Sequence, residues 1–337
     1  MQHVYIIAEI GPNHNGKIEL AKEMIEQLSK IGVDAVKFQL TNPDLLYSDD
    51  SFKAKYQIDN DKSKTVKEMS AKHQLSLEEH RILNKYCRNK NVDYLCTGFD
   101  IESLKFLDIV INVKYFKIPS GEIHTIDLLE YISKRKKPIL LSTGMHSFNE
   151  IKVSLDILNT NFTKEITIMH CVSNYPAPFE TINLNNILSI RSKFGYPVGF
   201  SDHTKGIECA LASIALGASV IEKHVTLDKT MEGPDHKASI NVSEFHTLVN
   251  SIRNIEKAMG SYSRQIMKSE KEISLVAKKS IVAKVDINQG DIISLDKICY
   301  KRPGTGLSPL ETNLIIGKKA KKPIKSNHVI KLEDIAL

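Results

Sequence analysis

Short apolar runs recur along about the first 230 residues, and nearly every one ends in a polar residue capable of chemistry. Ile6-Ile7-Ala8 leads to Glu9, Ala35-Val36 to Lys37 and Gln39, and Tyr94-Leu95-Cys96 to Thr97. Tyr115-Phe116 leads to Lys117 and Ser120, Ile139-Leu140-Leu141 to Ser142-Thr143, and Ile166-Thr167-Ile168-Met169 to His170 and Ser173. Val198-Gly199-Phe200 leads to Ser201-Asp202-His203, and Val220-Ile221-Glu222-Lys223 to His224. Between the runs, apolar residues repeat at three and four, which predicts helices over 18–31, 76–90, 147–159 and 243–259, and shorter ones at Asn185–Phe194 and Ile207–Leu216. Strand–helix alternation of this length predicts parallel strands, and eight units in about 225 residues suit a closed (β/α)8 barrel. Such a barrel builds its active site at the C-terminal strand ends, where the polar residues stand. An open doubly wound sheet is the alternative, but Gly11-Pro12-Asn13-His14-Asn15-Gly16 lacks the glycine spacing of a dinucleotide fingerprint.

One connection breaks the rhythm. Residues 41–75 are long, polar and charged, and they follow the second strand on the face that carries the chemistry, so they are expected to cover the mouth. The pattern changes again after Gly260. We divide the chain into a barrel domain at 1–262, a linker at 263–279 and a small β-rich domain at 280–337. The small domain contains a repeat: Ile287–Ile298 aligns with Ile324–Ile335 and superimposes Gly290 on Asn327, both residue types that tolerate a left-handed turn. At 58 residues this unit is near the lower limit for an independent core and is expected to dock on something.

Composition narrows the class. An apolar fraction of 42% with mixed charges fits a globular protein, and no apolar run approaches the roughly 20 residues of a membrane helix. Five scattered cysteines without paired spacing, and an N-terminus without a basic-then-apolar segment, predict reduced thiols and a cytoplasmic location. The net charge of +6 comes without a recognition motif or aromatic platform, so no nucleic-acid partner is expected.

Several strand-end residues carry candidate chemistry. His203 and His224 end adjacent strands and suit a divalent ion of Mn or Zn type, although two such residues also suit a turn cap and a hydrogen-bonded ring. Lys37 and Lys117, with Thr97, Ser120, Ser142 and Ser201, make a cradle for phosphate or carboxylate. A lysine here could instead form a Schiff base. Glu9 and Glu122 suit proton transfer or water orientation, or an ion pair with a neighbouring lysine. Asp235 lies in a turn just past the last strand, where it suits a sugar hydroxyl or a plain turn.

Read in order, the segments Glu9–Gly16, Lys37-Phe38-Gln39, Lys117-Ile118-Pro119-Ser120-Gly121-Glu122, Ser142-Thr143-Gly144-Met145, Ser201-Asp202-His203-Thr204, Glu222-Lys223-His224, Gly233-Pro234-Asp235-His236 and Lys301-Arg302-Pro303-Gly304 resemble the sialic acid (N-acetylneuraminate/legionaminate) synthase family. The resemblance spans essentially the whole chain, and it makes the small domain similar to an antifreeze-like, β-clip SAF domain. It implies condensation of phosphoenolpyruvate with an open-chain N-acetylhexosamine and water, by C–O cleavage, to a nine-carbon 2-keto acid. N-acetylmannosamine leads as the sugar, with 2,4-diacetamido-2,4,6-trideoxymannose second. A Schiff-base aldolase or a non-catalytic carbohydrate-binding protein would be the rival reading.

The resemblance also implies roles. His203 and His224 would hold a divalent metal, Mn2+ preferred and Mg2+ or Co2+ accepted. Lys37, Thr97, Lys117, Ser120, Ser142, Ser173 and Ser201 would bind phosphoenolpyruvate. Gln39, Glu122, Tyr175 and Asp235 would contact the sugar, with Glu9 helping protons and Glu122 positioning water. Arg302 would reach from the SAF domain of one subunit into the barrel of its partner, giving a domain-swapped homodimer. The chain departs from the family pattern at Gly98, where proline is usual and a looser phosphate loop is expected, and at Ser173-Asn174. The Gly-Pro-Asp turn at 233–235 aligns it with the neuraminate and legionaminate branch rather than the pseudaminate one.

Overall fold

Alternation along each strand decides which side chains meet inside the molecule. The computed structural model describes residues 3–161, 165–261 and 263–336; position 262, where the sequence reading ends the first domain, lies outside them. Eight parallel strands follow one another in chain order: β1 (Tyr5–Glu9), β2 (Ala35–Leu40), β3 (Asp93–Gly98), β4 (Phe116–Ile118), β5 (Ile139–Ser142), β6 (Ile166–Cys171), β7 (Val198–Asp202) and β8 (Val220–Thr226). β8 pairs back onto β1, with Glu9 opposite His224, and closes the barrel. The six predicted helices form within one or two residues of their expected ends, among them Ile18–Lys30, Leu77–Asn89, Phe148–Leu158 and Val242–Met259.

Inward positions run from apolar at the floor to polar at the mouth. Ile7, Ala35, Leu95, Leu140, Met169 and Val220 pack as the inner core, with Tyr5 and Tyr115 against them. Two residues further along the same strands stand Glu9, Lys37, Thr97, Ser142, Cys171 and Glu222. The period of two keeps them on the inner face. Gly199 is the inward residue of β7 below Ser201. A Cβ there would meet the thioether of Met169 and lie 2.8 Å from the Val220 carbonyl oxygen, so glycine makes room for the methionine that fills the barrel. Outward strand residues bury against the helices in a larger core. Lys223 points outward and is satisfied by Asp202 at 2.8 Å.

Residues 41–75 are more structured than their composition predicts. They form three short helices, Pro43–Leu46, Lys55–Asn60 and Val66–Lys72, the last closed by a capping box between Thr65 and Glu68. Their packing comes from one buried carboxylate. Asp61 accepts from the Ser63 amide at 2.8 Å and pairs with Lys53 at 3.5 Å, Lys72 at 3.2 Å and His73 at 3.2 Å. Asn60 bonds the Pro234 carbonyl, which ties the insertion to the loop after β8. Gly98 also differs from expectation. A Cβ on it would lie 3.0 Å from the Leu104 amide nitrogen, so the segment is tightly backed rather than loosened.

The chain divides into two compact units, one ending at Gly260 and the other beginning at Ser261. The second unit holds its own apolar core, including Ile281, Ile287, Ile293, Ile315, Ile324, Ile330 and Ile335. Part of the expected linker is a helix, Lys268–Ala277, whose Leu275 carbonyl accepts from Gly304. The repeat is visible in space. Ile287 and Ile324 exchange backbone hydrogen bonds at 2.9 and 2.8 Å, and Gly290 and Asn327 both take positive φ. Each copy ends in a 3-10 turn followed by a short strand.

Burial alone would raise the Asp61 pKa, but bonds from Ser63, His73 and Lys72 outweigh it and hold the carboxyl below the ordinary range. Asp61→Ala should therefore cost roughly 3–5 kcal/mol in urea unfolding, because it strands a buried lysine. A depressed folded pKa gives stability that is present above the unfolded value and lost as pH falls. The gap between wild type and Asp61→Asn should narrow below about pH 3.9. A variant within about 0.5 kcal/mol of wild type would remove Asp61 as the anchor.

Candidate active site at the barrel mouth

A cavity of about 340 Å³ opens at the C-terminal strand ends and lies wholly within the first unit. Glu9, Lys37, Gln39, Thr97, Lys117, Ser120, Ser142, Ser173, Tyr175, Ser201, His203, His224 and Asp235 all line it. Two expected residues do not. Glu122 sits in the 3-10 turn beyond β4, half-buried, with its carboxylate accepting from the Thr125 hydroxyl at 2.5 Å. Arg302 belongs to the second unit, where it is exposed. The folded insertion adds Tyr47, Tyr56, Gln57, Met69, Ser70, His73 and Gln74 to the wall.

The floor of the cavity is a quartet of buried charges. Lys37 Nζ lies 2.6 Å from Glu9 and 3.7 Å from Glu222; Lys117 Nζ lies 3.4 Å from Glu222. Hydroxyls complete the shell. Lys37 donates to Thr97 at 3.3 Å and Lys117 to Ser142 at 2.6 Å, while Ser201 donates to Glu222 at 3.1 Å and Gln39 to Glu9 at 2.8 Å. The two carboxyls behave differently. Burial pushes both upward, but Lys117 and Lys37 together pull Glu222 down to about 2. Glu9 has only Lys37 beside it and feels the charge of Glu222, so burial carries it up to about 7. Burial lowers Lys117, whereas the two carboxylates outweigh burial at Lys37 and raise it. The lysines thus favour the anionic form of Glu222 more than that of Glu9.

Glu222 has no role assigned from the sequence. The period of two would have found it, since Val220, Glu222 and His224 share the inner face of β8. Cys171, Tyr47 and Tyr56 were also unassigned. Cys171 lies 3.2 Å from the Ser120 hydroxyl, which in turn accepts from the Gly144 amide at 2.9 Å.

Above the floor, His203 and His224 face each other with ring centroids 5.7 Å apart. The ring of Tyr175 packs on both, at 4.3 and 5.7 Å. His203 donates from Nδ1 to the Val172 carbonyl at 2.7 Å, which leaves Nε2 as the lone pair. His224 Nδ1 is buried without a hydrogen-bond partner and lies 3.5 Å from the Asp235 carboxyl. Burial lowers both imidazoles, His203 to about 4 and His224 well below its ordinary value, which favours the neutral form of each. Burial and Glu9 raise Asp235 to about 7. Two neutral imidazoles, one braced by a carbonyl and one with an orphaned nitrogen beside a carboxyl, fit a divalent transition metal with open positions.

The chain is similar to known proteins over nearly its whole length. A model described as the NeuB family matches residues 24–264, and one described as the SAF domain matches residues 278–336. The N,N'-diacetyllegionaminic acid synthase of Campylobacter jejuni is 43% identical over 98% of this chain and 100% of its own length. The N-acetylneuraminate-9-phosphate synthase of Homo sapiens is 34% identical over 97% of this chain and 91% of its own. The crystal structure of a sialic acid synthetase from Leptospira borgpetersenii superimposes with a TM-score of 0.72 at 32% identity, covering 80% of this chain and 90% of that one. Among the described residues no helix is long and apolar enough to cross a membrane. A closed eight-stranded barrel with this mouth, followed by an SAF domain, places the chain in the NeuB family of sialic acid synthases.

Proposed function

We propose that this chain condenses phosphoenolpyruvate with an open-chain N-acetylated hexosamine and water, releasing phosphate and a nine-carbon 2-keto sugar acid. The supporting observation is the buried quartet of Glu9, Lys37, Glu222 and Lys117 directly beneath two neutral imidazoles in one cavity. A carbohydrate-binding protein needs neither feature.

Lys37 and Lys117, with Thr97, Ser120, Ser142 and Ser201, orient the carboxylate and phosphate of phosphoenolpyruvate and compensate their charge. Its C3 then bonds to the sugar aldehyde carbon, and the aldehyde oxygen takes a proton. Water adds at C2, the C2–O bond to phosphate breaks with its electron pair leaving on phosphate, and the hydrated C2 collapses to the ketone. Glu222 stays anionic next to the positive character that develops at C2, and Glu9 takes the proton from the incoming water. Glu9 replaces Glu122 in that role because Glu122 faces Thr125. His203 and His224 would hold a divalent ion, Mn2+ foremost, which supplies Lewis-acid polarisation of the aldehyde. Tyr175, Gln39 and Asp235 face the sugar.

The sequence reading put N-acetylmannosamine first. The C. jejuni relative, more similar than the human one, is named for N,N'-diacetyllegionaminic acid, and the wall facing the sugar carries Tyr47, Tyr56, Met69 and Tyr175. We therefore favour 2,4-diacetamido-2,4,6-trideoxymannose.

Product masses across a panel of hexosamines with Mn2+ and phosphoenolpyruvate labelled with 18O at the enol oxygen test the proposal. The 2,4-diacetamido sugar should give the highest kcat/KM, the phosphate should carry the label, and borohydride should trap no lysine adduct. Unlabelled phosphate, a trapped lysine, or no product with any sugar would refute it. N-acetylmannosamine as the best substrate would refute only the sugar choice.

The family resemblance also brings Arg302 into the proposal, as a residue acting on the partner's barrel within a homodimer, consistent with its exposure. Arg302→Ala and His203→Ala homodimers should each lose at least about 10²-fold in kcat/KM. After subunit exchange the mixture should recover to about a quarter of wild-type activity, since half the dimers are mixed and each holds one complete site. No recovery, with exchange confirmed by native mass spectrometry, would contradict action across subunits.

A further inference from the structure

A second group of metal-ligating side chains stands outside the cavity. His124 follows the Ser120–Glu122 turn, His146 lies in the loop after β5, and Glu150 is in the first turn of the helix Phe148–Leu158. One nitrogen from each histidine and one oxygen from Glu150 lie within 4.8 Å of one another. The two rings meet edge to face with centroids 4.6 Å apart. None of the three lines the mouth cavity.

Two of the three ligands are already held in place. The Glu150 carboxylate accepts from the Ser147 amide at 2.7 Å and its hydroxyl at 2.6 Å, both through Oε2, as the closing half of a capping box. The side chain is therefore fixed, and Oε1 is left over. His146 donates from Nε2 to the Ser120 carbonyl at 2.9 Å. A donating Nε2 leaves the lone pair on Nδ1, and that Nδ1 is shielded from solvent without a hydrogen-bond partner. A neutral imidazole braced by a carbonyl, with its other nitrogen vacant, is the arrangement seen in metal-ligating histidines.

We propose that His124, His146 and Glu150 bind one transition-metal ion, of the class of Zn2+, Co2+ or Ni2+, at a second site outside the mouth cavity. Two imidazoles and one carboxylate select such ions over Mg2+ or Ca2+, which favour all-oxygen shells. The site joins the loop after β4 to the loop after β5. Through His146 it also bears on Ser120, whose hydroxyl faces the mouth, so an ion here stiffens the rim of the phosphate cradle without touching substrate.

Zinc titration of the chelator-stripped full chain, read as bound metal per chain, tests this. Wild type should bind one zinc more than His124→Ala, an exposed substitution that spares the fold. Glu150→Gln, of nearly unchanged size, should weaken that extra zinc by more than about tenfold. Zinc should also shield His124 from diethyl pyrocarbonate in the wild-type chain, read by peptide mass. Equal zinc content in wild type and His124→Ala, or modification of His124 that zinc does not slow, would overturn the site.

Discussion

Four charges buried at the end of a closed barrel set the character of this protein. Glu9, Lys37, Glu222 and Lys117 are almost wholly buried on the cavity floor, so each depends on the others. Removing one member of such a set strands a buried charge, at roughly 3–5 kcal/mol. Pairing of β1 with β2 sets Glu9 level with Lys37, and closure of β8 onto β1 brings Glu222 into the same set although those two strands lie far apart in the chain. The same closure puts His224 level with Glu9. In the proposed reaction an entering anion would meet two lysines already desolvated, which is where pre-organisation lowers a barrier.

The division of labour between the two carboxyls follows from neighbours rather than residue type. Glu222 touches both lysines and Ser201; Glu9 touches one lysine and Gln39. That asymmetry lowers the proton affinity of Glu222 and raises that of Glu9. The insertion at 43–72 walls the site from the side with aromatic rings, and its fold rests on Asp61 rather than on an apolar core of its own.

Much of this was legible in the sequence because a barrel writes its topology as a rhythm. Each apolar run stops where its strand reaches the mouth, so Lys37, Thr97, Lys117, Ser142, Ser201, His203 and His224 could be named from position alone. Glu222 escaped because it lies within its run, next to Lys223, which faces the other way. Glu122 does not line the cavity, since a residue two places beyond Ser120 has already turned off the strand. The three helices of the insertion are too short to show a period, and the carboxylate that organises them draws partners from positions 53, 63, 72 and 73. His124 follows β4 whereas His146 and Glu150 follow β5, and only the adjacency of β4 and β5 brings them together.

The central claim is that the quartet is a coupled unit and not four separate residues. A double-mutant cycle of Glu9→Gln and Lys37→Met, followed by urea unfolding at neutral pH, measures that coupling directly. An interdependent pair 2.6 Å apart should give a coupling free energy of about 2 kcal/mol or more, with the double variant less destabilised than the sum of the singles. Additivity within about 0.5 kcal/mol would contradict the account.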